Sequence, residues 1–200
     1  RGKLYLGNAD VAFNKIWLEK TEISRILNVT TDIKNYFLDS FEYLRVAVQD
    51  SEHEDISMYF GSTTDFISQA LELNQSVLVH CKQGQSRSVS MIIACAMKHF
   101  GATLGECVAR LTDTKVLTKI NLGFQRQLME FEESLFGGNT HDFFTLPKRS
   151  RTKTIDQLFF KQHFKSSGVE TSPKKRKPRK KAVAAPTSTT AITNYFSKAE

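Results

Sequence analysis

VLVHCKQGQSRSVSMIIACAM, Val77–Met97, is the stretch on which the fold turns. Its start, together with Ser76, is a compact β-branched run of the kind buried in a central sheet, and it predicts a strand over Ser76–His80. Its end opens a helical segment predicted over Arg87–Phe100. Between the two, Cys81 and Arg87 are separated by five intervening residues, with Gly84 in the middle. A strand that delivers a cysteine into so short a loop, with a helix directly behind it, lets backbone N–H groups converge on one point. The helix N-terminus adds its positive dipole there. The expected local structure is a cradle for an anion.

Outward from that loop the chain alternates short apolar runs with helical periodicity. Lys3–Gly7, Ile26–Val29 and Tyr43–Val48 read as further strands, and Ala9–Lys20 as one amphipathic helix. Another helix fits Asp55–Leu73, with Asp55 as its N-cap and Phe60, Phe66, Ile67, Ala70 and Leu71 on its buried side. Leu104–Thr112 and Asn121–Phe136 complete the helices. Strands separated by helices predict an α/β domain with a largely parallel sheet. Composition changes at Gly137-Gly138, which sets expected boundaries of 1–138 for the domain and 139–200 for a mainly disordered basic tail.

Charge follows the same division. The net charge is +7, yet residues 137–200 hold 14 Lys+Arg against 4 Asp+Glu, leaving 14 against 17 in the rest. The basic character therefore belongs to the tail and says little about the domain's ligand. No apolar run reaches the roughly eighteen residues of a membrane span. Cys81, Cys95 and Cys107 are an odd set without metal-like spacing, which favours free thiols in a reducing compartment over disulfides or a zinc site.

The chemistry that suits the cradle is phosphoryl transfer. A cysteine attacks phosphorus as thiolate, and loop N–H groups plus a helix dipole lower its pKa. The planar guanidinium of Arg87 can bind two phosphoryl oxygens at once, as a lysine cannot. Gly84 lets the backbone turn without a Cβ in the way. A bare C-x5-R pattern arises by chance in roughly 15% of such chains; requiring His80 before it and Gly84 within it leaves roughly a few in ten thousand. A departing alkoxide also needs a proton. Asp50, Glu52, Glu54 and Asp55 follow a strand end and are all candidates to supply it. Cys95 and Cys107, within apolar helical segments, read as core.

LYLGNADVAFN, ILNVT, YLRVAVQDS, VLVHCKQGQSRS and NLGFQRQLMEFE, in that order, resemble the dual-specificity subgroup of protein tyrosine phosphatases across nearly all of residues 3–136. The resemblance implies a central, mostly parallel twisted sheet of about five strands flanked by helices. It implies Cys81 as nucleophile, Arg87 as phosphate-binding arginine and Asp50 as general acid. Ser88 would help the thiolate depart from a phosphocysteine, His80 would hold the loop and tune Cys81, and Asn121 would support the loop. Lys82, Gln83, Gly84, Gln85 and Ser86 complete the phosphate-binding loop. Two positions depart from the family pattern: Gln83 stands where Ala is frequent, and Ile120 where Pro precedes the asparagine. Lys82 with Gly84 and SRS resembles the cofilin-phosphatase (slingshot) branch. The implied activity hydrolyses phosphotyrosine and phosphoserine/threonine in phosphoproteins without a metal or other cofactor. Peroxide would reversibly inactivate an accessible thiolate of this kind. A pseudophosphatase that only binds phosphoprotein and a clamp-associated adaptor are the alternatives.

The tail carries two motifs. Lys174, Lys175, Arg176, Lys177, Arg179, Lys180 and Lys181 form a basic cluster expected to engage a nuclear import receptor. Ile192, Tyr195 and Phe196 resemble the box by which proteins dock on the sliding clamp, proliferating cell nuclear antigen, although Thr189 stands at its usual Gln. Gln157–Phe164 is a poorer candidate. Together they predict a nuclear protein, possible also in cytoplasm.

Overall fold

The computed structural model describes residues 2–113, 119–143 and 190–191. Strands β1 (Leu4–Gly7), β2 (Ile23–Asn28), β3 (Glu42–Arg45) and β4 (Ser76–His80) run parallel in the order β3-β2-β4-β1. A two-residue strand, β5 (Thr190–Ala191), pairs antiparallel with β1, Tyr5 opposite Ala191 and Leu6 opposite Thr190. The expected α/β architecture is the one observed.

Alternation along the strands sends side chains to opposite faces. Leu4, Leu6, Leu27, Val77 and Val79 join the larger core with Phe60, Ile67, Met91, Ile92, Phe124 and Leu128. Those partners come from α3 (Phe60–Glu72), α4 (Arg87–Phe100) and α6 (Leu122–Phe136). Tyr5, Ile26 and Leu78 face the other way, against Val11, Ala12 and Leu18 of α1 (Ala9–Phe13) and α2 (Lys15–Lys20). With both faces covered, β4 is wholly buried, as its uninterrupted apolar run requires. Helix α4 follows it through the middle of the larger core, and every residue from Arg87 to Met97 is buried. Among the described residues, no helix is long and apolar enough to cross a membrane.

Four elements differ from their sequence expectation, and the first, β2, simply begins earlier, at Ile23 instead of Ile26, and ends at Asn28. The helix expected over Ala9–Lys20 is two, because Asn14 ends α1 and caps α2 by accepting a hydrogen bond from the Trp17 N–H at 3.0 Å. A short amide side chain competes for backbone groups and favours such breaks. The strand expected over Tyr43–Val48 stops at Arg45; the chain then tightens, Val48 N–H to Val46 carbonyl at 3.0 Å. Asp55 does not cap α3, which starts at Phe60; its carboxylate instead takes the N–H and hydroxyl of Ser57, at the start of a 3-10 turn, Ser57–Tyr59, that leads into the helix.

Helix α5 (Leu104–Asp113) is tied down by a buried carboxylate. Glu132, on α6, accepts the Leu104 N–H at 2.6 Å and both the N–H and hydroxyl of Thr140. Packing thus continues past the Gly137 cap of α6, through Thr140 and on to Phe143.

Candidate active site

The parallel strands end together at Gly7, Asn28, Arg45 and His80, and the loop from β4 to α4 lies at that edge. Neighbouring backbone fixes its shape. The Lys82 carbonyl accepts from Ala9 N–H at 3.2 Å, and the Gln85 carbonyl from Lys119 N–H at 3.0 Å. Gly84 has φ +71°, and a Cβ there would sit 2.8 Å from the Gly7 carbonyl oxygen. Only glycine meets both the left-handed conformation and that approach.

Cys81 stands at the centre of this turn. Its Sγ accepts from the Gly84 N–H and from the Ser88 hydroxyl, each at 3.2 Å. Burial pushes its thiol up, but the Ser88 hydroxyl and N–H, the Arg87 charge and the Gly84 N–H outweigh it, and the net shift is downward. Cys95 and Cys107 are the controls. They are as deeply buried as Cys81, yet burial pushes Cys95 far up and Cys107 up to about 12. Three covered thiols differ in sign because one alone is ringed by donors. An oxidisable thiolate is expected to be accessible, whereas Cys81 is only 1% exposed. The donors that favour the thiolate are also what cover it.

Arg87 is buried as well. One Nη donates to the Val48 carbonyl at 3.2 Å, and Nε lies 3.7 Å from Asp50 Oδ2 without a hydrogen-bond partner. A buried donor left in that condition is costly and points to a ligand. The tight turn that shortened β3 brings the Val48 carbonyl to this arginine.

Four carboxylates follow β3, and the structure separates them. Asp50 Oδ1 accepts from the Ser86 hydroxyl at 2.7 Å and from the Asn121 amide at 2.9 Å. The Asn121 N–H donates back to Ser86 Oγ at 3.2 Å, and Asn121 Oδ1 caps α6 through the Phe124 N–H. Asp55 is spent on Ser57. Glu52 and Glu54 meet α6 through their backbone: a Cβ on Gly123 would overlap the Glu52 carbonyl, and the Glu54 carbonyl accepts from Gln127 Nε2. Gln127 Oε1 takes the N–H groups of Ile56 and Ser57. The loop carrying Asp50 is therefore fastened to α6 at two places. The sequence reading gave Ser86 only a place in the loop and gave Gln127 and the Val48 carbonyl no role. Their partners lie tens of residues away in the chain.

His80, 1% exposed, has a buried Nδ1 without a partner, and burial lowers its pKa to about 4. It is therefore neutral at neutral pH. Lys82 and Gln83 are exposed at the lip of the loop. The basic cluster from Lys174 to Lys181 and the box residues Ile192, Tyr195 and Phe196 lie outside the described residues, as does Gln157–Phe164.

The loop thus gathers a sulfur contacted by two hydrogen-bond donors, a buried arginine with an unmet donor and a carboxylate 3.7 Å from that arginine. Residues 4–134 match the model of the dual specificity phosphatase catalytic domain, and the chain belongs to that family. It is 40% identical over 129 residues to the Xenopus laevis protein phosphatase Slingshot homolog, covering 64% of this chain and 19% of that relative. It is 38% identical over 132 residues to the Arabidopsis thaliana dual specificity protein phosphatase 1, covering 66% and 67%. The crystal structure of human DUSP28 superposes with a TM-score of 0.63 at 28% identity, covering 66% of this chain and 89% of that one.

Proposed function

We propose that this protein hydrolyses phosphotyrosine and phosphoserine/threonine in phosphoproteins through a phosphocysteine intermediate. The observation that carries the proposal is the contrast among three buried thiols, of which Cys81 accepts hydrogen bonds at its sulfur from the Gly84 N–H and the Ser88 hydroxyl and has its pKa lowered, while burial pushes Cys95 and Cys107 up. In the first step Cys81 Sγ attacks phosphorus as the P–O bond to the substrate breaks. Asp50 gives its proton to the departing oxygen. Because Oδ1 is held by Ser86 and Asn121, Oδ2 is the oxygen left to carry that proton. Arg87 and the loop N–H groups take the charge on the equatorial oxygens, where phosphoryl transfer needs it stabilised. In the second step water attacks phosphorus and yields its proton to Asp50. The S–P bond breaks, and the Ser88 hydroxyl stabilises the returning thiolate. His80 stays neutral and structural, and Lys82, Gln83, Gly84, Gln85 and Ser86 shape the lip.

The test is turnover of p-nitrophenyl phosphate, abolished in Cys81→Ser. An Asp50→Ala form that retains phosphoprotein without releasing phosphate would identify the substrates. Activity that survives Cys81→Ser overturns the mechanism.

For the tail, the proposal is nuclear import through Lys174–Lys181 and docking on the sliding clamp through Ile192, Tyr195 and Phe196. Loss of clamp capture in a Tyr195→Ala, Phe196→Ala double variant is the expected result, and unchanged capture rejects the box.

A further inference from the structure

The lip of the pocket holds an ion pair that the chemistry above does not use. Lys82, the residue after the nucleophile, meets Asp32 with Nζ to Oδ2 at 3.2 Å, and both side chains are more than half exposed. Lys82 is held through its carbonyl, which the Ala9 N–H binds.

Asp32 is held by a scaffold built beneath it. Thr30 and Asn28, each 0% exposed, hydrogen-bond to one another at 2.7 Å. The Ile33 N–H donates to Thr30 Oγ1, and Asn28 Nδ2 donates to the Ile33 carbonyl and to Asn35 Oδ1. From above, Arg45 donates to the carbonyls of Thr30 and Thr31 at 3.3 and 2.7 Å. Satisfied buried polar networks of this sort rigidify the backbone that carries them. The whole turn therefore presents one exposed carboxylate to the loop. Its partner Lys82, foremost, and also the Arg87 charge hold that carboxyl below the usual range.

We propose that Asp32 is a specificity-determining residue that neutralises Lys82 and thereby turns the pocket against phosphopeptides bearing a second anion beside the phosphate. The inference rests on the phosphatase reading and names a substrate class for it: segments with one phosphate and no acidic neighbour on the Lys82 side. A second phosphate or carboxylate there must displace Asp32 from Lys82 and then face its charge. A singly phosphorylated segment leaves the pair intact. Exposed pairs are weak, so the discrimination is modest, about two- to fivefold.

The experiment compares the full chain with its Asp32→Asn form on three substrates: p-nitrophenyl phosphate, a phosphotyrosine peptide with neutral neighbours, and the same peptide with a phosphothreonine alongside. The ratio of kcat/KM for the doubly over the singly phosphorylated peptide is expected to rise about two- to fivefold in the variant, mainly through KM. The gain should fade in high salt, and p-nitrophenyl phosphate kinetics should not change. An unchanged ratio overturns the proposal. A gain on a short-chain phosphatidylinositol bisphosphate without one on the peptide overturns it too, as does a fall in p-nitrophenyl phosphate turnover, which would place Asp32 in the loop's own support. Absence of turnover by the unaltered chain would instead remove the phosphatase reading beneath it.

Discussion

Replacing Ser88 by alanine takes one hydrogen bond from the Cys81 sulfur and leaves the loop backbone in place. The bond is 3.2 Å long, and Ser88 is fully buried, so water has no route to replace the lost donor. A hydrogen bond to a charged group contributes about 1.5–3 kcal/mol. At about 1.4 kcal/mol per decade, its loss lowers the ratio of thiolate to thiol at a given pH about ten- to a hundredfold. The Gly84 N–H, the Ser88 N–H and the Arg87 charge remain, so Cys81 should still titrate well below Cys95 and Cys107. That separation makes the assay clean: in a titration of ultraviolet thiolate absorbance, Cys81 alone contributes on the acid side. Alkylation rates would understate the effect, because a thiol of higher pKa is the better nucleophile once ionised. A second readout is a burst of p-nitrophenol followed by slow turnover, since the thiolate is the leaving group of the second step. A titration midpoint that does not move in a folded Ser88→Ala protein would refute the account of why this sulfur ionises.

Other perturbations probe the surrounding supports. Gly84→Ala forces a side chain onto φ +71° and against the Gly7 carbonyl, a strain of about 1–3 kcal/mol, and should cut kcat/KM about tenfold or more in steady-state assays. Gln127→Ala frees the backbone of Ile56 and Ser57 from α6; it should lower turnover of a phosphoserine peptide about tenfold more than turnover of p-nitrophenyl phosphate, whose leaving group scarcely needs the proton. Burial lowers the His80 pKa from its ordinary 6.5 to about 4, so the unfolded chain binds the extra proton across that interval. Its contribution, about 3 kcal/mol, is fully present above the upper value and is lost as pH falls toward the lower, and urea midpoints should decline less steeply over that range in His80→Gln.

The sequence displayed whatever is local in the chain. Cys81, Gly84, Arg87 and Ser88 fall within eight residues, and the strand before and helix after them carry strong periodic signals, so cradle and fold were legible together. The breaks it concealed were also local but depended on a single side chain's choice of partner. Asn14 could have faced solvent from the middle of one helix; it caps a second one instead. The support of the site was not legible, because Ser86 meets Asp50 across 36 positions and Gln127 meets Ser57 across 70. Residue types and short spacings hold no signal for such pairs.

The choice among Asp50, Glu52, Glu54 and Asp55 shows what the third dimension adds. By chemistry they are interchangeable, and the family resemblance alone singled out Asp50. In the fold they are not equivalent, since one hydroxyl, Ser86 Oγ, joins the phosphate loop to Asp50 and to the start of α6. Asn121 closes that triangle. Motion of the loop that carries Asp50 must therefore disturb the turn around Cys81, and the fastening at Gln127 limits how far it can go. Glu52 lacks that tie: its backbone carbonyl is wedged against Gly123 of α6. Moving the acid by Asp50→Asn with Glu52 left in place should thus give no rescue of phosphoserine-peptide turnover at any pH, and measurable rescue would mean that the loop is free to re-register.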